Sequence, residues 1–234
     1  MISVCIATYN GETYICEQLD SILSQISGDD EIIISDDSST DRTVEIIESY
    51  DDSRIKLYRG QKYQSPIFNF ENALRLAVGD YIFLSDQDDI WAVNKVTKMI
   101  QALQTADMVV CDCTFIDNEK KIIVPSYFAI VNSSPGLVRN LRKNTYFGCC
   151  MAFRKNILKK ALPFPKDIPM HDIWLGFVSD LFYKSVFLDE RLTFYRKHDT
   201  NASIASDIKS NISIMNKIKF RYNTIKHIFS LLLR

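Results

Sequence analysis

Residues 81–89 read Tyr81-Ile82-Phe83-Leu84-Ser85-Asp86-Gln87-Asp88-Asp89, a short apolar run that stops on three carboxylates within four residues. The run is too short for a helix and has polar residues on both sides, which is how a buried strand reads. Three carboxylates at the end of such a strand repel one another and resist desolvation unless a cation joins them. Hard oxygen ligands of this kind suit Mg²⁺ or Mn²⁺, ions that also bind diphosphates. An exposed acidic turn would look the same in isolation, so the weight of the reading comes from what lies around it.

Working outward, further β-branched runs at Ile2–Ala7, Glu31–Ser35, Ile55–Arg59 and Met108–Asp112 predict strands. Helical stripes lie between them: Ile15, Leu19, Ile22, Leu23 and Ile26 on one, Val96, Met99, Ile100 and Leu103 on another. Alternation of this kind predicts an α/β fold with a mainly parallel central sheet and helices on both faces. Ligands bind such sheets at the carboxyl ends of the strands. The residues found there are Thr8-Tyr9-Asn10 after the first strand, Asp36-Asp37-Ser38-Ser39-Thr40-Asp41 after the second, and the carboxylates at 86–89. Beyond residue 112 the pattern is irregular. Thr114–Asn144 has no clear period, Cys150–Phe153 reads as a strand, His171–Phe182 as a helix, and Ser185–Asp189 with Arg191–Lys197 as two short paired strands.

Composition narrows the function classes. The chain has 28 basic and 29 acidic residues, but residues 207–234 hold six basic residues against Asp207 alone. The remainder carries 22 basic against 28 acidic residues, and an acidic body argues against a nucleic-acid partner. Six cysteines with no Cys-x-x-Cys pair, several inside strand-like runs, read as buried thiols in a reducing cytoplasm. The opening Met1-Ile2-Ser3-Val4-Cys5-Ile6-Ala7 reads as a strand rather than a secretory leader, and no segment offers the ~20 predominantly apolar residues of a membrane span.

Thr8-Tyr9-Asn10, the acidic run at 36–41 and Ser85-Asp86-Gln87-Asp88-Asp89 resemble, in order and spacing, three signatures of the inverting family 2 glycosyltransferases of the GT-A fold. The resemblance covers roughly residues 1–200. It implies a nucleotide-binding half over 1–112, an acceptor-binding half over 113–206, and a nucleoside-diphosphate sugar, UDP- or dTDP-linked, as donor. Its acceptor would be a carbohydrate or lipid-linked glycan. Thr8, Tyr9, Asn10, Asp37 and Asp86 are then expected at the nucleotide, with Tyr9 stacked on the pyrimidine and Asp37 near the base or ribose. Asp86 and Asp88 form an Asp-x-Asp motif for a divalent metal (Mg or Mn), with Asp88 the direct ligand, and His198 stands where related folds supply a late histidine. Met170-His171-Asp172-Ile173-Trp174 resembles the family's short acidic motif, which makes Asp172 the catalytic base. Taken singly, Tyr9 also reads as a core aromatic, Asp37 as a helix N-terminal carboxylate, Asp172 as the start of a helix and His198 as a surface histidine.

The departures from the family's pattern are as informative. His171 replaces the commoner Glu, Ser38 stands where many members have Gly, and Gln61–Phe70 lacks the glycines often found there. No Gln-x-x-Arg-Trp run follows Asp172, which predicts a single transfer rather than processive synthesis. The wording around Trp91 is most similar to bacterial rhamnosyltransferase-type members. Two rival readings are a nucleotidyltransferase, which needs an early Gly-rich basic phosphate loop, and a non-catalytic sugar-nucleotide-binding module, which would tolerate loss of the carboxylates at 86, 88 or 172. The chain lacks the first feature and keeps the carboxylates. In the tail, 207–234, Ile214, Ile218, Ile225, Ile228, Phe229 and Leu232 recur at three- and four-residue spacing among basic residues. That predicts an amphipathic helix, either lying on the inner face of the membrane or covering the catalytic domain or a dimer partner.

Overall fold

A computed structural model describes residues 1–198 and 214–233. The first half is built of β1 (Ile2–Thr8), α1 (Ile15–Leu23), β2 (Glu31–Asp36), α2 (Thr43–Glu48), β3 (Ile55–Tyr58), α3 (Pro66–Leu76), β4 (Tyr81–Ser85), β5 (Ile90–Trp91) and α4 (Lys95–Ala102). It continues through β6 (Met108–Ile116), β7 (Ile122–Val124), α5 (Tyr127–Val131), α6 (Leu137–Arg142), β8 (Met151–Arg154), α7 (Leu158–Ala161), α8 (His171–Phe182), β9 (Ser185–Arg196) and α9 (Ile214–Leu232).

The strands form one nine-stranded sheet in the order β3-β2-β1-β4-β8-β6-β9-β5, with β7 hydrogen-bonded to β6. Strands β3, β2, β1 and β4 run parallel, as their near-continuous apolar character requires of strands covered on both faces. Every residue of β2 and β6 is buried. The stripe of α1 meets the sheet through Ile15, Leu19 and Ile22, and α3 starts with Pro66 in its first turn, where a missing N–H costs nothing. Beyond β4 the order turns mixed, because β8 runs antiparallel to both β4 and β6.

The second half departs from expectation in one place. Residues 185–196 form a single strand paired parallel to β6, not two short strands paired with each other. The charged trio Asp189-Glu190-Arg191 breaks the apolar pattern, but the ladder accommodates it by shifting register on either side of Asp112. The expected strand near 150 begins at Met151, after a 3₁₀ turn over Gly148–Cys150. The amphipathic helix expected over 207–234 lies partly outside the described residues; α9 covers Ile214–Leu232. Among the described residues no helix is long and apolar enough to cross a membrane.

Helix α8 is threaded close to the core at Gly176, where an added Cβ would lie 2.3 Å from the buried ring of Tyr146. Gly176→Ala is expected to destabilise the protein by about 1–3 kcal/mol through overpacking, read as a lowered Tm in calorimetry. Gly28→Ala, where nothing lies within 4 Å of the added atom, is the control; an equal Tm for both variants would remove the packing argument.

Candidate active site

Parallel register places the polar ends of three strands side by side: Thr8 pairs with Asp36, and Ile6 with Ser85. A cavity of about 740 Å³ opens above this edge, and Thr8, Tyr9, Asp37, Asp86, Asp88 and Asp172 all line it. Residues predicted from both halves of the chain therefore meet in one place. Asn10 is not part of the lining. Its side chain accepts from Thr40 N at 2.8 Å and its backbone N–H donates to Ser39 Oγ at 2.9 Å, so it ties the loops that follow β1 and β2 together.

Backbone geometry around Tyr9 is set from the acidic loop. Gln87 accepts from Tyr9 N at 2.9 Å and donates to Tyr9 O at 3.1 Å, which leaves the Tyr9 ring exposed on the cavity. Asp37 is buried and accepts from Tyr63 N at 2.6 Å and Ser65 N at 3.2 Å. Its carboxylate thus shapes the 61–65 loop, while Lys62, Gln64 and Ser65 from that loop also line the cavity.

The far wall holds most of the charge. Burial first, then the charges of Asp88 and Asp172, push the Asp86 carboxyl up to about 8, although one edge of it faces the cavity. Asp88 Oδ2 lies 2.8 Å from His198 Nε2, so the proposed late histidine does reach the acidic loop. Asp89 points inward, raised well above the ordinary carboxylate range by burial and by Asp88 and Asp86. Its Oδ1 accepts from Arg196 N at 3.0 Å, and Oδ2 has no hydrogen-bond partner among the described residues. The donor set of two cavity carboxylates and one imidazole fits a hard divalent cation. Ligand atoms of Asp86, Asp89 and Cys149 also lie within 4.8 Å of one another.

Asp172 sits in the first turn of α8, where the helix dipole favours a carboxylate. Burial nevertheless pushes it up to about 6, against the hydrogen bonds it accepts from Ile173 N and Gly148 N. Gly148 has a defined role here. Its N–H holds Asp172 Oδ2 at 2.9 Å, and a Cβ there would come within 3.1 Å of His171 Nε2. His171 is stacked on Phe70 with ring centroids 4.0 Å apart, and burial depresses it to about 3. Neither of its ring nitrogens has a hydrogen-bond partner among the described residues.

Two cations behind the wall escaped the sequence reading. Lys95 is fully buried, donates to Cys149 O at 2.7 Å and Thr193 Oγ1 at 2.8 Å, and lies over the Trp91 ring; its charge opposes the rise at Asp86. Arg196, also buried, pairs with Glu17 and donates from Nε to Asp88 O at 3.1 Å. Position alone gives no signal for either, since both stand where a polar helix face or strand end is expected.

Comparison with known proteins gives a family and a fold. Residues 3–162 match the model of a family described as glycosyl transferase family 2. The chain is 30% identical to the dTDP-rhamnosyl transferase RfbG of Shigella flexneri, covering 91% of this chain and 76% of that protein. It is also 30% identical to the UDP-Glc:alpha-D-GlcNAc-diphosphoundecaprenol beta-1,3-glucosyltransferase WfaP of Escherichia coli, covering 94% and 86%. With a third relative, an uncharacterized glycosyltransferase of Nostoc, the chain spans 66% of that protein's length. The fold matches S. aureus TarS 1-349 in complex with UDP-GlcNAc with a TM-score of 0.70 at 19% identity, over 98% of this chain and 72% of that one. It matches the mannosyltransferase PcManGT from Pyrobaculum calidifontis, solved with GDP-Man and Mn2+, with a TM-score of 0.63 at 17% identity, over 99% and 74%.

Replacing Lys95 by Met keeps the stem and removes the donor, leaving Cys149 O and the acidic wall without it. The expected cost is about 1–3 kcal/mol, the scale of an unsatisfied buried polar group. Thermal unfolding measures it, and an unchanged Tm would show that the buried amine does not support the wall.

Proposed function

This chain belongs to glycosyl transferase family 2, and on that premise we propose that it moves one sugar from a nucleoside-diphosphate sugar to an acceptor hydroxyl with inversion at the anomeric carbon. The observation that carries the proposal is the meeting, in one cavity, of Tyr9 and Asp37 with the carboxylates of Asp86, Asp88 and Asp172. An exposed Tyr ring offers a stacking face for a pyrimidine. Uracil and thymine share the imide N–H that a carboxylate or backbone carbonyl accepts, so UDP- and dTDP-sugars are the donor class we favour. Names of relatives support both: one is a dTDP-rhamnosyl and another a UDP-glucosyl transferase. The second relative's name includes a diphosphoundecaprenol acceptor, which supports a lipid-linked glycan here and a place in bacterial surface polysaccharide synthesis.

In this mechanism Asp172 accepts the proton of the attacking hydroxyl as its oxygen bonds to the anomeric carbon. The bond from that carbon to the diphosphate breaks, and the diphosphate leaves with the electron pair. Asp86, Asp88 and His198 are the residues that would hold a divalent cation, whose chemistry is to offset charge on the departing diphosphate. Lys62 at the cavity lining adds a positive charge. Stacked between Phe70 and the cavity, His171 stays neutral and keeps a further negative charge away from a region already crowded with carboxylates. A nucleotidyltransferase would use a similar acidic edge, but Thr8-Tyr9-Asn10-Gly11-Glu12 is not its basic Gly-rich loop.

Asp172→Asn should keep donor binding and lose transfer by roughly 10²–10⁴-fold. In the parent enzyme kcat should fall as pH drops through about 6, because Asp172 must be ionised to accept the proton and burial holds its carboxyl there. A flat profile from pH 5 upward, or parental turnover in the Asn variant, would assign the base to another group. Asp88→Ala should abolish the effect of Mn²⁺ on nucleotide binding measured by calorimetry. Unchanged Mn²⁺ dependence in that variant would sink the metal assignment.

A further inference from the structure

Helix α9 has two apolar faces, and only one is used. On the packed face Asn223, Thr224 and Ile228 are buried; Asn223 Nδ2 donates to Asp167 O, His227 pairs with Asp167, and the His227 ring meets Trp174 edge-on. Arg221 donates to Leu141 O and Arg142 O, which fastens the helix to the end of α6. On the opposite face Met215, Ile218, Tyr222, Ile225, Phe229 and Leu232 are all exposed. They follow one another at alternating spacings of three and four residues, an unbroken apolar seam along the helix. Exposure of 68% at Tyr222 and 61% at Phe229 is far above what scattered surface apolar residues require, and a continuous seam marks a surface that meets something.

We propose that this seam docks the protein on an anionic lipid surface, with α9 lying in the plane of the interface. The charges beside the seam decide between occupants. Lys219 and Lys226 directly follow Ile218 and Ile225 on one flank, and Arg221 directly precedes Tyr222 on the other. In a coiled coil with a second copy these are the positions that face the partner's flanks, where matched helices place opposite charges. Here each described charge at those positions is positive, so two copies would set like charges together. A bilayer carrying anionic headgroups meets the same pattern with complementary charge, apolar side chains entering the acyl boundary and lysines reaching the headgroups. Arg142 and Lys143, exposed where α6 meets α9, extend the basic rim. Among the described residues no helix is long and apolar enough to cross a membrane, so the proposal lays α9 along the interface rather than across it.

This inference rests on the lipid-linked acceptor reading and deepens it. Asp167, the residue α9 grips, lies three residues before Met170, and Met170, His171 and Asp172 line the cavity. The docking face is therefore carried by the element that braces the segment leading to the proposed base.

Sedimentation of the full chain with vesicles of phosphatidylcholine alone, or of equal parts phosphatidylcholine and phosphatidylglycerol, tests it. The parent should bind the anionic vesicles, and added salt should weaken binding. The double variant Lys219→Glu/Lys226→Glu should lower the partition by roughly 25-fold or more, since each basic residue near such a surface contributes about fivefold. Ile225→Ser/Phe229→Ser should also lower it, with circular dichroism and Tm unchanged because both side chains point to solvent. Equal binding to both vesicle types, or parental binding by both variants, would overturn the proposal. A parent dimer in analytical ultracentrifugation that the serine variant dissociates would overturn it too, assigning the seam to a second copy. Mn²⁺-dependent hydrolysis of UDP- and dTDP-sugars without vesicles separates the two readings: its absence in the parent counts against the transferase proposal, while normal hydrolysis with no vesicle binding counts against the docking proposal alone.

Discussion

Negative charge held where water is scarce organises this molecule. Four carboxylates, Asp86, Asp88, Asp89 and Asp172, converge at the carboxyl edge of the sheet, and burial raises three of them above the ordinary range. Such a cluster is costly to desolvate, so the surrounding structure has to compensate for it. It does so from three directions. Arg196 on β9 donates to Asp88 O and Asp89 Oδ1, Lys95 on α4 sits beneath, and Gly148 N–H holds Asp172. The long parallel pairing of β9 with β6 carries Arg196 to the acidic loop. The part of the fold least regular in sequence is thus the part that stabilises the charged loop.

Within the first half, the fold was legible because each strand ends where its chemistry begins. Apolar runs stop on Thr8, Asp36 and Asp86, and the parallel register keeps those ends level. Farther along, legibility fails for identifiable reasons. Asp189-Glu190-Arg191 looks like a turn, yet a long strand absorbs it through a register shift against β6. Lys95 looks like a solvated helix residue, and only the tertiary position of Cys149 O and Thr193 makes its burial tolerable. Asn10 stands within the Thr8-Tyr9-Asn10 signature, but the turn it closes with Thr40 depends on a loop thirty residues away. Local pattern reports what a residue prefers; partners far along the chain decide what it does.

Adjacent residues at the start of α8 show how one environment sets two protonation states. Burial raises Asp172 to about 6 and lowers His171 to about 3, because it disfavours the charged form of each. Near neutral pH the pair is therefore a carboxylate beside an uncharged imidazole. A Glu in place of His171 would add another buried carboxylate beside Asp172 and Asp86 and raise their proton affinity further. The imidazole avoids that repulsion and packs its face on Phe70, at the cost of two nitrogens without partners. Unpaired buried nitrogens of this kind are worth most when a ligand supplies hydroxyls.

Helix α8 also links the site to the tail, because α9 packs on the body as one of the two sequence readings expected. The first turn of α8 carries Asp172; two residues on, Trp174 donates from its indole N–H to Ala161 O and meets His227 of α9. Ile228, read in sequence as part of the same stripe as Phe229, is buried against the body, while Phe229 faces out. Covering the catalytic domain and presenting an apolar seam are thus not alternatives for α9, because they use opposite faces of one helix. A helix that only covered the core would gain nothing from a second apolar face and would risk aggregation through it. Retaining that face beside a row of lysines and arginine makes sense when the surface it meets is itself negative, and in the proposed docking the same helix ties that surface to the segment bearing the proposed base.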